Sequence, residues 1–273
     1  MKGTANKGGD GLMRVRDLSF SYDKGLPDVF QHVSFTVEPG EVFIILGANG
    51  AGKSTLLNCV TGIMSGYRGE ISLGGKDLRE ISPREKALRM GYVPQLSMPT
   101  FNYTVRDYVV MGRAPHIGLM GTPSDEEYAV ADRIIRKMGI EKLSEKQITR
   151  ISGGERQQVQ IARVLAQETE LVILDEPTNH LDFGNQLKIL RIITEMAREG
   201  LAVIFTTHMP DHAFLLRGKI GILRQDGSMV SGRTEEILTE ESLRELYHTD
   251  LRLIRIEELD RSVCVVGKNA FEE

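Results

Sequence analysis

Toward the N-terminus, hydrophobic positions fall in short runs at strand spacing: Met13 to Tyr22, Val33 to Val37 and Val42 to Leu46. The last run is continuously apolar, which predicts a strand buried on both faces. A helix is predicted from Lys53 to Val60, with Gly62 to end it. Ile71-Ser72-Leu73 before Gly74-Gly75 reads as an edge strand and its turn. From about Val105 to Gln167 the period becomes helical, most clearly over Asp125 to Met138 and Glu155 to Gln167. Leu171 to Leu174 and Ala202 to Phe205 read as buried strands on either side of a helix from Asn185 to Arg198. Strands alternating with helices predict a mostly parallel sheet, here with a helical insertion. Beyond about Asp250, the alternation of Leu251, Leu253, Ile254 and Ile256, then Val263 to Val266, predicts a small β appendage.

Composition narrows this picture only modestly. The chain has 273 residues, 41% hydrophobic and 26% charged, ordinary values that allow a sizeable core. A net charge of -4 gives no basic footprint for nucleic acid. Cys59 and Cys264 are too few and too far apart for a disulfide framework or metal cage, so a reducing cytoplasm is the simplest compartment. No apolar run approaches the ~20 residues of a membrane helix. Lys2 and Lys7 lead into Gly8-Gly9-Asp10-Gly11, not into an apolar stretch, so residues 1–11 read as a flexible tail and not a signal peptide. Work at a membrane would therefore need a partner there.

Gly47-Ala48-Asn49-Gly50-Ala51-Gly52-Lys53-Ser54 fits G-x-x-x-x-G-K-[ST] at every defined position, between a predicted buried strand and a predicted helix start. Glycines let backbone N–H groups wrap phosphate oxygens, and the helix N-terminus adds positive partial charge. Lys53 is expected to reach the β- and γ-phosphates, and the Ser54 hydroxyl to bind Mg²⁺. Leu171-Val172-Ile173-Leu174-Asp175-Glu176 then ends a buried strand in two carboxylates. Beside a phosphate loop the pair allows a division of labour, with Asp175 serving the metal and Glu176 acting as general base. Ser152 with Glu155 three residues later is a capping box. A cap does not explain Gly153 and Gly154, where glycine costs ~1 kcal/mol of helix propensity, so a second anion-binding helix start is plausible.

In chain order, the Gly47 to Ser54 loop, Gly91-Tyr92-Val93-Pro94-Gln95, Ser152-Gly153-Gly154, Leu171 to Thr178, Asn179-His180-Leu181-Asp182 and Thr207-His208 resemble the motif series of the ABC ATPases, over about residues 12 to 248. That resemblance implies an α/β fold: a P-loop NTPase core with a mostly parallel sheet, an antiparallel β edge subdomain and an inserted helical subdomain. It implies ATP and Mg²⁺ as ligands. Tyr22 would stack on adenine, with Gly47, Asn49, Gly50, Ala51, Gly52, Lys53, Ser54 and Thr55 around the phosphates. Ser54, Gln95 and Asp175 would form the Mg²⁺ set, Gln95 also sensing the attacking water and linking to a membrane partner. Ser152 and Gly154, with Gly153 between them, would meet the γ-phosphate of ATP on an opposite subunit. Asp182 would lie across that dimer interface, and His208 would hold the γ-phosphate. Plainer alternatives stand beside three of these: Tyr22 as a strand aromatic, Gln95 as a loop residue and His208 as a strand-end histidine. Ile151 stands where leucine is usual, Glu155 where glutamine is, and Met209 where aspartate is common; none of these departures removes a catalytic group.

The resulting division is a tail (1–11), a nucleotide-binding core in two parts (12–96 and 168–249), a helical subdomain (97–167) and an appendage (250–273). A lone cassette supplies half of each of two composite sites, so a homodimer is the simplest assembly. Phe101 to Asp107, Met111-Gly112-Arg113-Ala114-Pro115-His116 and Gly184-Asn185-Gln186 are similar to the ATPases of iron-siderophore, haem and cobalamin importers, a likeness that molybdate importers share. It implies a peripheral protein at the cytoplasmic face of the cell membrane, docked on a polytopic permease through about Gln95 to Leu119, and coupled indirectly to an external substrate-binding protein. Charge reversal at Arg113 is then expected to weaken assembly, although Arg113 to His116 also reads as a mere turn before a helix. A soluble ABC ATPase, such as an iron–sulfur assembly factor, is the alternative from another class.

Overall fold

The computed structural model describes residues 11–95, 101–118 and 120–271. Most of the expected tail, and part of the Gln95–Leu119 segment, lie outside the described residues. In chain order the elements are β1 (Met13–Phe20), β2 (Phe30–Val37), β3 (Val42–Leu46), α1 (Lys53–Val60), β4 (Arg68–Leu73), β5 (Lys76–Asp77), α2 (Pro83–Arg89) and β6 (Met90–Val93). The helical part holds α3 (Val105–Val110), a 3₁₀ run (Met111–His116), α4 (Asp125–Lys137) and α5 (Gly153–Ala166). Then come β7 (Leu171–Leu174), α6 (Phe183–Arg198), β8 (Ala202–Thr207), α7 (Pro210–Leu216), β9 (Lys219–Leu223) and β10 (Met229–Arg233). The chain closes with α8 (Thr234–Ile237), α9 (Glu240–Tyr247), β11 (Leu251–Ile256) and β12 (Arg261–Val266).

A six-stranded sheet of order β10-β9-β3-β8-β7-β6 forms the centre, parallel except at β10. An antiparallel sheet, β2-β1-β4-β5, covers one face, and β11-β12 form a separate hairpin. The unbroken apolar run of β3 follows from its place: Phe43 and Ile45 enter one core, against the antiparallel sheet and α1, while Ile44 and Leu46 enter a second, against α6, α7 and α9. β7 and β8 divide their side chains in the same way. The helical insertion has its own small core, with Val109, Ile135, Ile148 and Val159 at its centre.

Two boundaries differ from expectation in ways that matter. β1 ends at Phe20, leaving Tyr22 beyond the strand and 56% exposed. Arg113, expected on a docking surface, is only 7% exposed. Its Nη1 donates to the Ala166 carbonyl (2.7 Å) and to Glu168 Oε2 (2.9 Å), and Glu168 also pairs with Arg133 (2.7 Å). Arg113 thus fastens the 3₁₀ run to the end of α5. Reversing its charge would place an unpaired charge at a buried position rather than probe a surface.

Candidate functional site

β3, β7 and β8 point their carboxyl ends the same way, so the segments that follow them meet at one edge of the sheet. The Gly47–Ser54 loop leaves β3 and closes at Gly52, which caps α1 in the left-handed region (φ 94°). A Cβ there would also lie 2.8 Å from Val29 Cγ1, so the position needs glycine twice over. Tyr22 reaches the same loop, with its hydroxyl 2.8 Å from Thr55 Oγ1 and its ring edge-on to Phe20.

Lys53, Asp175 and Glu176 are all buried, which for charged side chains requires partners. Lys53 Nζ donates to the carbonyls of Gly47 (2.8 Å) and Ala48 (3.0 Å) and forms an ion pair with Glu176 Oε1 (2.9 Å). The other oxygen of Glu176 accepts from Gln95 Nε2 and Asn179 Nδ2, each at 3.2 Å. His208 Nδ1 lies 3.4 Å from that oxygen, buried and without a hydrogen-bond partner. Glu176 itself has φ 45°, a left-handed conformation uncommon outside glycine, which turns its carboxylate back toward Lys53. Behind the pair, Thr206 Oγ1 accepts from the Glu176 N–H (2.8 Å) and donates to Asp175 Oδ1 (2.7 Å). Burial, followed by the nearby Asp175 carboxylate, pushes the Tyr92 phenol up. Ser54, Gln95 and Asp175 line one open cleft of about 590 Å³.

Behind His208, Thr207 Oγ1 lies 2.9 Å from His212 Nδ1 and accepts from the Met209 N–H (3.0 Å). Burial, and secondarily His208, lowers the His212 pKa to about 4. His212 is therefore neutral at ordinary pH.

Ser152, Gly153, Gly154 and Asp182 form a second group. The Ser152 hydroxyl accepts from the Glu155 N–H (3.3 Å), and Glu155 Oε2 accepts from the Ser152 N–H (2.8 Å), closing the expected capping box and holding the Glu155 carboxyl below its usual range. Asp182 caps α6 by accepting from the Asn185 N–H (2.9 Å) and Nδ2 (2.7 Å). A Cβ on Gly154 would lie 2.7 Å from Asn185 Cγ, so the two caps pack against each other. Ser152, Gly153 and Asp182 are exposed, beside the exposed ring of Phe183.

Lys53, Gln95, Asp175, Glu176 and His208 thus come together directly or through one intermediary, while the Ser152–Asp182 group makes its hydrogen bonds elsewhere. Sequence reasoning passed over Thr206 and Asn179 as site residues. A threonine pair ending the apolar β8 was the available signal for Thr206. Chemically, the first group offers a cation and backbone donors for phosphate, two carboxylates beside an open cleft, and a carboxylate placed as a base.

The chain matches the family description "ABC transporter" over residues 30–179, and a shorter stretch, 155–210, matches an AAA domain description (AbiEii toxin, type IV toxin–antitoxin system). It is 35% identical to the molybdate import ATP-binding protein MolC of Haemophilus influenzae, over 86% of this chain and 88% of that protein. It is also 35% identical to the hemin import ATP-binding protein HmuV of Rhodococcus jostii, over 89% of this chain and 83% of that one. Among solved structures, a metal-chelate type ABC transporter in an inward-facing conformation superimposes with a TM-score of 0.83 at 32% identity, covering 94% of this chain and 98% of that one.

Proposed function

The chain belongs to the ABC transporter family of ATPases, and we propose that it powers an importer, driving uptake of a metal chelate of the iron-siderophore, haem or cobalamin type through a separate permease. The observation that carries the catalytic part is the Glu176 carboxylate, buried at the sheet edge between Lys53, Gln95, Asn179 and His208. In this reading Tyr22 stacks on the adenine, and the Gly47–Thr55 loop and Lys53 hold the phosphates. Glu176 takes the proton of the attacking water while Gln95 orients that water, and His208 faces the γ-phosphate.

The donor set also suits Mg²⁺. Among the described residues no cluster of three or more His, Cys, Asp or Glu side chains could enclose a metal. Magnesium instead takes one or two protein oxygens, phosphates and water. Asp175 and Glu176 are both buried; Lys53 pairs with Glu176, whereas Asp175 is held by the Thr206 hydroxyl, which leaves negative charge for a cation to offset. Ser54, Gln95 and Asp175 would hold it, and the metal would neutralise charge on the β- and γ-oxygens.

The exposed Ser152, Gly153 and Asp182 surface supports a homodimer in which each copy completes its partner's ATP site. Exposed Ile63, Phe101, Tyr103 and Met111 support a permease contact around Gln95–Leu119, with Phe101 and Tyr103 in edge contact. No helix of the described residues is long and apolar enough to cross a membrane, so a peripheral place at the cytoplasmic face rests on that contact. An external substrate-binding protein would choose the cargo. The division at residues 12–96, 97–167, 168–249 and 250–273 belongs to the same reading.

The test is affinity purification of Glu176→Gln with Mg-ATP from detergent-solubilised native membranes. A stoichiometric polytopic membrane protein supports the importer, and its identity narrows the cargo to a chelate, to molybdate or to another class. A soluble partner, or the homodimer alone, transfers the assignment to a non-transport ABC ATPase.

A further inference from the structure

The end of the chain lies outside the stretch matched by the family description, yet it reaches the loop that carries His208. α9 buries Leu243 and Leu246 in the second core, which fixes Tyr247 at its last position. From there the Tyr247 hydroxyl donates to the main-chain carbonyl of His208 at 2.6 Å, across 39 residues of sequence. Burial raises the Tyr247 phenol above its ordinary value, so it remains a protonated donor. The hairpin that follows holds the exit of the same loop. Cys264 N–H donates to Asp211 Oδ1 (3.0 Å) in the first turn of α7, and Arg217 at the other end donates to the Asp260 carbonyl (2.9 Å).

These contacts matter because of what the imidazole lacks. His208 Nδ1 is buried and makes no hydrogen bond, its nearest partner being Glu176 Oε2 at 3.4 Å, so no hydrogen bond at that nitrogen aims the ring. Its aim beside Glu176 depends on where the backbone puts it, and that backbone is tied at the His208 carbonyl by Tyr247 and at the Met209 N–H by Thr207.

We propose that Tyr247 is a positioning residue for ATP hydrolysis: its hydroxyl holds the His208 carbonyl, aims the imidazole, and so enlists the C-terminal segment in turnover without touching nucleotide. The inference rests on the reading of His208 as the group facing the γ-phosphate.

Tyr247→Phe in the full chain removes the hydroxyl and keeps the ring in its place. Loss of one hydrogen bond predicts a fall in kcat of about five- to tenfold, with KM for ATP within about twofold and a melting temperature near that of the wild type. Amide hydrogen exchange should rise around residues 208–212 and stay unchanged in the Gly47–Ser54 loop. An unchanged kcat, or a kcat loss matched by a general loss of exchange protection, overturns the proposal. His208→Ala run in parallel separates the two levels. If it leaves turnover intact, the reading of His208 fails; if it abolishes turnover while Tyr247→Phe does not slow it, the positioning role alone fails.

Discussion

The cluster around Lys53 and Glu176 and the cluster around Ser152 and Asp182 are held by contacts of opposite reach. In the first, Glu176 bonds Gln95 across 81 residues, and its ion pair with Lys53 spans the gap between β3 and β7. In the second, Ser152 bonds Glu155 and Asp182 bonds Asn185, each pair three residues apart. Lys53, Asp175 and Glu176 of the first are buried; Ser152 and Asp182 of the second are exposed and capped locally. The first therefore depends on the whole fold being in register, whereas the second is shaped by its own helix starts. On the proposed function, one chain carries its own phosphate cradle and one half of its partner copy's.

The variants that test this contrast most sharply act on Glu176. Glu176→Gln should retain ATP binding but slow phosphate release by ~10²–10⁴, the range for a lost general base. Near-normal turnover would sink that assignment. Lys53→Ala should weaken nucleotide binding and also destabilise the nucleotide-free chain by about 3–5 kcal/mol, because it leaves a buried carboxylate unpaired. Adding Glu176→Gln to Lys53→Ala should restore much of that stability in urea titrations; a double variant as weak as the single would break the idea that the pair holds this region together.

The pH dependence should follow the buried cluster too. The unfolded chain protonates His212 near the ordinary 6.5, whereas the folded chain resists protonation until about 4. The stability contributed by neutral His212 is thus intact above the upper value and is lost as pH falls across that window, about 3 kcal/mol in all. His212→Asn should flatten this part of the stability profile, and an unchanged slope would place the acid sensitivity elsewhere. The smallest effect belongs to the exposed cluster. Ser152→Ala should cost about 1 kcal/mol of stability as a lost cap, leave nucleotide affinity of the isolated chain intact, and lower turnover where two copies meet. Unfolding on the scale of Lys53→Ala would erase the distinction between the clusters.

Both clusters were legible in the sequence to different depths. Val42–Leu46 and Lys53–Val60 were readable to the residue, because a continuous apolar run and a glycine-bounded phosphate loop are local signals. The Ser152 cap was readable for the same reason, since a capping box is an i, i+3 relation. The ion pair of Lys53 with Glu176 was not, because it depends on which strands neighbour one another. Arg113 shows the limit most clearly. In sequence it sits in a polar turn, and only the packing of the 3₁₀ run against α5 turns it inward to Ala166 and Glu168. Tyr247 carried no local signal either, for its partner is a backbone carbonyl.

The Lys53–Glu176 pair has a consequence for affinity. On the proposed function, Lys53 cannot serve a phosphate and the carboxylate with equal strength, which makes Glu176 an internal competitor of ATP for that lysine. Apparent affinity is then the intrinsic affinity scaled by the fraction of molecules in which Lys53 is free. Neutralising Glu176 should therefore do more than preserve ATP binding: it should tighten it. The carboxylate proposed to end the life of the nucleotide would then also set the threshold at which the nucleotide is admitted.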